Sequence, residues 1–243
     1  MTDVTNVIDS VKPHDVRGEM EEVTLVSNGY TELKKLYFEN ISFTNTENAK
    51  IKIISSKEER VEARYPKAME DYGFSIEIDK GKIIVRVPEQ TTNFIVDEFE
   101  IIIYSNIEKI KIFGSVSLEM DAASAKNISL DVEGAADINV SNLDVTNAEI
   151  KVSGAAVLDL SGSADFFDLE LNGACIIDAK KFICKKSEVE INGAGVTELS
   201  VTDELFADID GVGKLSYYGD PELINTSGVL SDVEQVSKEV YSD

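Results

Sequence analysis

A glycine recurs at a nearly fixed interval through the second half of the chain, and this limits the folds open to it more than any other feature. The copies read KIKIFGSVSLEM, LDVEGAADINV, IKVSGAAVLDL, LELNGACIIDA, VEINGAGVTEL and ADIDGVGKLSY. Their glycines are Gly114, Gly134, Gly154, Gly173, Gly193 and Gly211, at intervals of 20, 20, 19, 20 and 18 residues. A shorter copy, INTSGVLSDV, carries Gly228 a further 17 residues on. Repeats of this length signal units that bury their apolar faces only by stacking on one another.

The parity around each glycine says what kind of unit it is. Two residues before it stand Ile112, Val132, Val152, Leu171, Ile191 and Ile209. Four residues after it stand Leu118, Ile138, Leu158, Ile177, Thr197 and Leu215. The columns four before and two after are likewise apolar or small, whereas the odd offsets are mostly polar. A period of two is a strand with even offsets inward. The alternation passes through the glycine without slipping, which predicts an inward-facing glycine where the wall bends or the coil narrows. Crossovers between parallel strands are strongly right-handed. The fold expected is therefore all-β, a right-handed parallel β-helix of about 20-residue coils. The L-x-x-L-x-L frame of a leucine-rich repeat is absent, and a β-propeller repeats at about twice this period.

The first half reads as strands at 33–38, 49–54, 60–65, 73–78, 81–87 and 99–104, with Asp79-Lys80-Gly81 as a hairpin turn and Pro66 and Pro88 as strand ends. The organisation predicted is a partly irregular segment over 1–29 and a β region over 30–105 that starts and caps the helix. The repeats follow over 106–231. A tail over 232–243 is expected to be a short helix or frayed.

Charge excludes some partners. Lys and Arg number 23 and Asp and Glu 46 in 243 residues, a net charge of −23. Nucleic acid and anionic membrane surfaces both recruit basic proteins, so neither is an expected partner. The four arginines, Arg17, Arg60, Arg64 and Arg86, all lie in the first half. Cys175 and Cys184 lack zinc-site or CxxC spacing and read as small buried side chains. His14 is the only histidine and stands in a polar stretch, a poor start for a catalytic triad. The N-terminus lacks the pattern of a signal peptide, and no run reaches membrane-span length, which predicts a cytoplasmic location by default.

The repeats, closed by DIDGVGKLSYYGDPELINTSGVLSDV, resemble the head GIN domain of auto-transporter adhesins, a β-helical family of unknown function. The family's closing aromatic, glycine and proline are matched by Tyr218, Gly219 and Pro221, and its final serine-glycine by Ser227 and Gly228. Its second repeat glycine is replaced here by Ala136, Ala156 and Cys175, which remain small. The resemblance spans residues 30–233. It implies a place at the cell envelope or outside the cell, and it implies no catalytic or cofactor-binding residues.

Two acidic columns are the most site-like feature of the repeats. Asp159, Asp178 and Glu198 should stack, as should Glu170, Glu190 and Asp208. Carboxylates about 4.8 Å apart on successive strands could gather calcium, which takes several oxygen ligands. The simpler reading is a solvated face whose charges block lateral sheet association. Lys180, Lys181, Lys185 and Lys186 form a candidate basic patch or, more simply, a solvated turn. Taken together, these features predict a noncatalytic scaffold or binding module, adhesin-like, with a protein or glycan ligand. The alternatives are a carbohydrate-active enzyme with paired carboxylates, and a cytoplasmic scaffold that self-assembles end to end as a homo-oligomer.

Overall fold

A computed structural model describes residues 13–27, 32–88, 92–121, 124–227 and 232–241. The protein is all-β, with a sheet that curls on itself. Its strands are β1 (His14–Asp15), β2 (Met20–Val26), β3 (Lys35–Phe43), β4 (Ala49–Ile54), β5 (Arg60–Pro66), β6 (Ser75–Asp79) and β7 (Lys82–Arg86). They continue with β8 (Thr92–Ile95), β9 (Phe99–Tyr104), β10 (Lys109–Asp121), β11 (Ser124–Tyr218), β12 (Glu222–Ser227) and β13 (Asp232–Ser237). Short 3-10 turns occupy Thr46–Asn48 and Lys67–Tyr72.

The 20-residue period appears directly in the pairing. β10 runs parallel to the start of β11 without a slip, from Lys109 beside Ser129, through Gly114 beside Gly134, to Asp121 beside Ser141. The extended run of β11 then folds back on itself in layers. Polar groups one repeat apart meet across it: the Asn147 side chain donates to that of Asn127 at 2.7 Å, and the Ser200 hydroxyl to the Lys180 main-chain carbonyl at 2.6 Å.

The other edge of β10 covers β3 and β4, which in turn cover β7, β8 and β9. The chain thus lays down the β3–β4 layer before the β7–β9 layer beneath it. At the far end of that lower layer β5 pairs antiparallel with β9, and β2 antiparallel with β5. The hairpin at Lys80-Gly81 forms as expected. Both residues have positive φ (47° and 76°), and β6 and β7 pair antiparallel around them.

The even columns form one continuous core. Val132, Val152 and Leu171 are at most 2% exposed, as are Ile138, Leu158 and Ile177. Burying one such side chain contributes roughly 1.5–3 kcal/mol. The larger rings sit mainly in the first layers, where Phe43 packs on Phe99 with centroids 4.7 Å apart. Phe167 and Phe182 form a T-shaped pair within the repeats.

The glycines differ from expectation. They do not face the core: the Cα–H of each is directed at the layer before it. A Cβ on Gly134 would stand 2.1 Å from the Gly114 carbonyl oxygen, and one on Gly154 2.0 Å from that of Gly134. The same holds for Gly173, Gly193 and Gly211. Their φ values run from 134° to 157°, a backbone shape that L side chains rarely adopt. Strand parity hides this, because a residue that turns a corner along the stack still counts as one step. In β3 the same corner is turned without glycine. Asn40, at φ 63°, is an extra residue, and the register with β10 slips there so that Gly114 faces Ile41. Gly162 is a further corner glycine, at φ 130°, its would-be Cβ 2.0 Å from the Leu143 carbonyl oxygen.

The tail is also a correction. β13 is a strand, paired in parallel with Lys214–Tyr218, rather than a helix or a frayed end. A last layer with an open edge captures whatever extended chain follows it. The closing Gly228 lies outside the described residues. Tyr218 stacks edge-on against Tyr241, and the Gly219 amide donates to the Ser237 carbonyl at 2.9 Å. A Cβ on Gly219 would stand 1.9 Å from the Val201 carbonyl oxygen, and Pro221 starts the turn into β12.

Candidate functional site

The most distinctive surface lies just past the corner glycines. One residue after them the repeats carry Ala135, Ala155, Ala174 and Ala194, and three residues after them Val157, Ile176 and Val196. These are odd offsets, so strand geometry turns them outward. Ile176 is 58% exposed, Val196 45% and Val157 43%. Between them the inward column is reduced to Ala136, Ala156, Cys175 and Gly195, whose small size keeps the floor low. The result is an open apolar groove of about 510 Å³ running across the layers, with Thr46 and Asp137 as its polar lining.

An exposed aliphatic row is unexpected on so acidic a chain, since isolated exposed apolar residues are ordinary but aligned ones are not. The columns three before and five after the glycine are polar and mask this row in the sequence. The signal for the groove was available in the columns one and three after it.

The predicted acidic columns stand on the outer face but do not gather as a metal site. Lys180 lies between Asp178 and Glu198, at 3.1 and 3.0 Å, and these two carboxylates raise its pKa, Glu198 foremost. Lys151 reaches Glu170 at 3.4 Å, and Asn172 donates to Glu170 at 2.9 Å. Among the described residues no three potential ligands converge as a cation site, with Asp159, Glu190 and Asp208 included in that statement. Lysines thus pair with three of the six column carboxylates, Asp178 and Glu198 through Lys180 and Glu170 through Lys151.

The lysine patch is likewise divided among carboxylates. Lys185 pairs with Asp165 at 2.6 Å and Lys186 with Glu204 at 2.6 Å, while Lys181 lies 5.8 Å from the Tyr241 ring centroid. Both cysteines are free and buried, and burial pushes the Cys184 thiol up to about 12. Such a thiol is a packing group, since reactivity needs the thiolate. His14 packs against Tyr72, with ring centroids 4.4 Å apart, on the cap layers. No helix among the described residues is long and apolar enough to cross a membrane.

The fold and groove define a layered all-β protein with an exposed apolar trough across its repeats, beside which Lys151, Lys180, Lys185 and Lys186 are held in ion pairs. The chain belongs to the family described as "Putative auto-transporter adhesin, head GIN domain", which matches residues 37–221. No curated protein matches it.

Solved structures share the fold. A "putative adhesin" from Bacteroides fragilis superposes with a TM-score of 0.70 at 15% identity, over 93% of this chain and 96% of that one. A "putative lipid binding protein" from Parabacteroides distasonis does so at 0.66 and 15% identity, over 94% and 98%. A "putative adhesin" from the same species gives 0.59 at 16% identity, over 92% and 100%. The family and these neighbours are described as adhesins or as a lipid binding protein.

Proposed function

We propose that this chain is a noncatalytic, adhesin-like binding module of the cell envelope that takes a protein ligand on its apolar groove. The observation that carries the reading is the alignment of Val157, Ile176 and Val196 on the outside of successive layers. Burying such a row in a partner is the direct way to recover its apolar free energy. Family membership supports the envelope location and the adhesive role.

The choice of protein over glycan rests on the lining. Sugar rings are commonly held by aromatic faces, and the groove has no aromatic side chain among its lining residues. The architecture we assign is a right-handed parallel β-helix. It is supported by parallel pairing at a one-repeat offset and by the strong handedness preference of parallel crossovers.

A photo-crosslinking amino acid placed at Ala155, in the protein displayed on intact cells, tests the reading. The expected result is a discrete protein adduct that is lost in the Val157→Ser, Ile176→Ser, Val196→Ser variant. The same probe at Lys126, exposed and outside the groove, should give none. Retention of that adduct by the triple variant, or glycan binding that it leaves unchanged, assigns recognition to another surface.

A further inference from the structure

We infer that the occupant of the groove is a basic amphipathic helix of the partner protein, lying along the stacking axis. This rests on the groove being the binding face and adds what kind of segment fills it.

The first argument is one of repeat lengths. Stacked strands are about 4.8 Å apart, so the row from Ala135 to Val212 spans four steps, roughly 19 Å. A helix presents an apolar side chain on one face about once per 5.4 Å turn. Over four steps the mismatch with the layers accumulates to only about 2.4 Å, within the reach of rotamer adjustment. An extended segment repeats its side chains on one face every ~6.8 Å and loses about 8 Å over the same span, more than a whole layer. About 13 helical residues cover the row.

Close approach is the second argument. With Ala155, Ala174 and Ala194 along one side and Ala156 and Cys175 in the floor, leucine-sized side chains of a helix can settle into the trough above the layers. Ile176 and Val196 then stand as ridges between successive turns.

Charge selects the sign of the ligand. Alongside the aliphatic row run Asp159, Asp178 and Glu198 with Lys180 as the ammonium between the latter two, and Asp137 stands at one end. That border is net negative on a chain of net charge −23. A lysine-rich polar face complements it. A second copy of this chain does not, since the same carboxylates would face each other.

The test uses synthetic helical peptides of about 14 residues, titrated into the full chain and followed by fluorescence anisotropy. One carries leucine at i, i+3, i+4 and i+7 and lysine elsewhere. The second replaces leucine by serine, the third replaces lysine by glutamine, and the fourth alternates leucine and lysine to favour an extended chain. The leucine–lysine helix should bind at least about tenfold more tightly than each of the others. Ile176→Ser with Val196→Ser should abolish its advantage over the serine–lysine peptide. Raising the salt should erase its advantage over the leucine–glutamine peptide and keep the first. Ile176→Lys should weaken it further. These positions are exposed, so an unchanged melting temperature keeps folding out of the comparison.

If the uncharged helix or the alternating peptide binds as tightly, and still depends on Ile176 and Val196, the basic helix is wrong and the groove remains a binding face. A dimer seen by light scattering that Ile176→Ser dissolves makes a second copy the occupant and also overturns the proposal. If binding of every peptide ignores both substitutions, the groove reading itself falls.

Discussion

At the scale of single residues, the corner glycines carry two separable constraints. One is their positive φ, and the other is the carbonyl oxygen of the layer before, which leaves no room for a Cβ. Gly18 has the first alone: its φ is 144° and nothing lies within 4 Å of a Cβ built on it. Gly154, at φ 142°, has both. Gly18→Ala should therefore cost roughly 1–3 kcal/mol, the range for a strained backbone. Gly154→Ala should cost ~4 kcal/mol or more, because the layers must part to admit the methyl group. Urea unfolding of the two variants checks the difference, and equal losses would mean that backbone strain alone decides. The period of these glycines was plain in the sequence; the direction of their Cα–H bonds was not. That direction depends on which backbone lies alongside, a fact of stacking that parity within one layer does not contain.

At the scale of elements, the layer is the natural unit. Each one buries its inner face against neighbours through the same columns, so stability is close to a sum of layer and interface contributions. Deleting residues 155–173 removes one 19-residue period and joins Gly154 directly to Ala174, in the register that Gly173 had. The shortened chain should fold with an unchanged far-ultraviolet spectrum per residue and a lower unfolding free energy. A molten or aggregated product would show that the layers are not interchangeable. The repeat strands and the hairpin at Gly81 were legible because alternation and turn chemistry are local. β2 was missed: its pairing is antiparallel to β5, and its burial comes from that neighbour rather than from its own MEEVTLV pattern. The groove was half legible. Its alanines and valines stand in the repeats for anyone to align, but alignment alone does not show that the +2 column beneath them sinks to leave a trough.

For the whole molecule, charge is the dominant global quantity. With 46 acidic and 23 basic side chains, pairing every cation would still leave 23 carboxylates without a salt-bridge partner. The interlayer pairs, such as Lys111–Asp131 at 2.7 Å, are mostly exposed and individually worth about 0–1 kcal/mol. Self-repulsion of the surplus acts over a Debye length of ~30 Å at 0.01 M salt and ~8 Å at 0.15 M. Sodium chloride should therefore raise the melting temperature over this range, by about 4 °C for a chain of this size. A fall would mean that the interlayer ion pairs outweigh the surplus.

The order of the first layers bears on how the molecule is made. β3 and β4 lie between β10 on one side and β7–β9 on the other, and both covers come later in the chain. A nascent chain leaving the ribosome must keep these apolar strands waiting until Tyr104 and then Asp121 have emerged. Translation at about 5–20 residues per second puts that delay at several seconds. From there each further period emerges in roughly one to four seconds onto a template already in place. The hazardous interval for this protein in the cell is the synthesis of the stretch from β3 to β10, and the glycine-marked repeats grow on a surface ready to receive them.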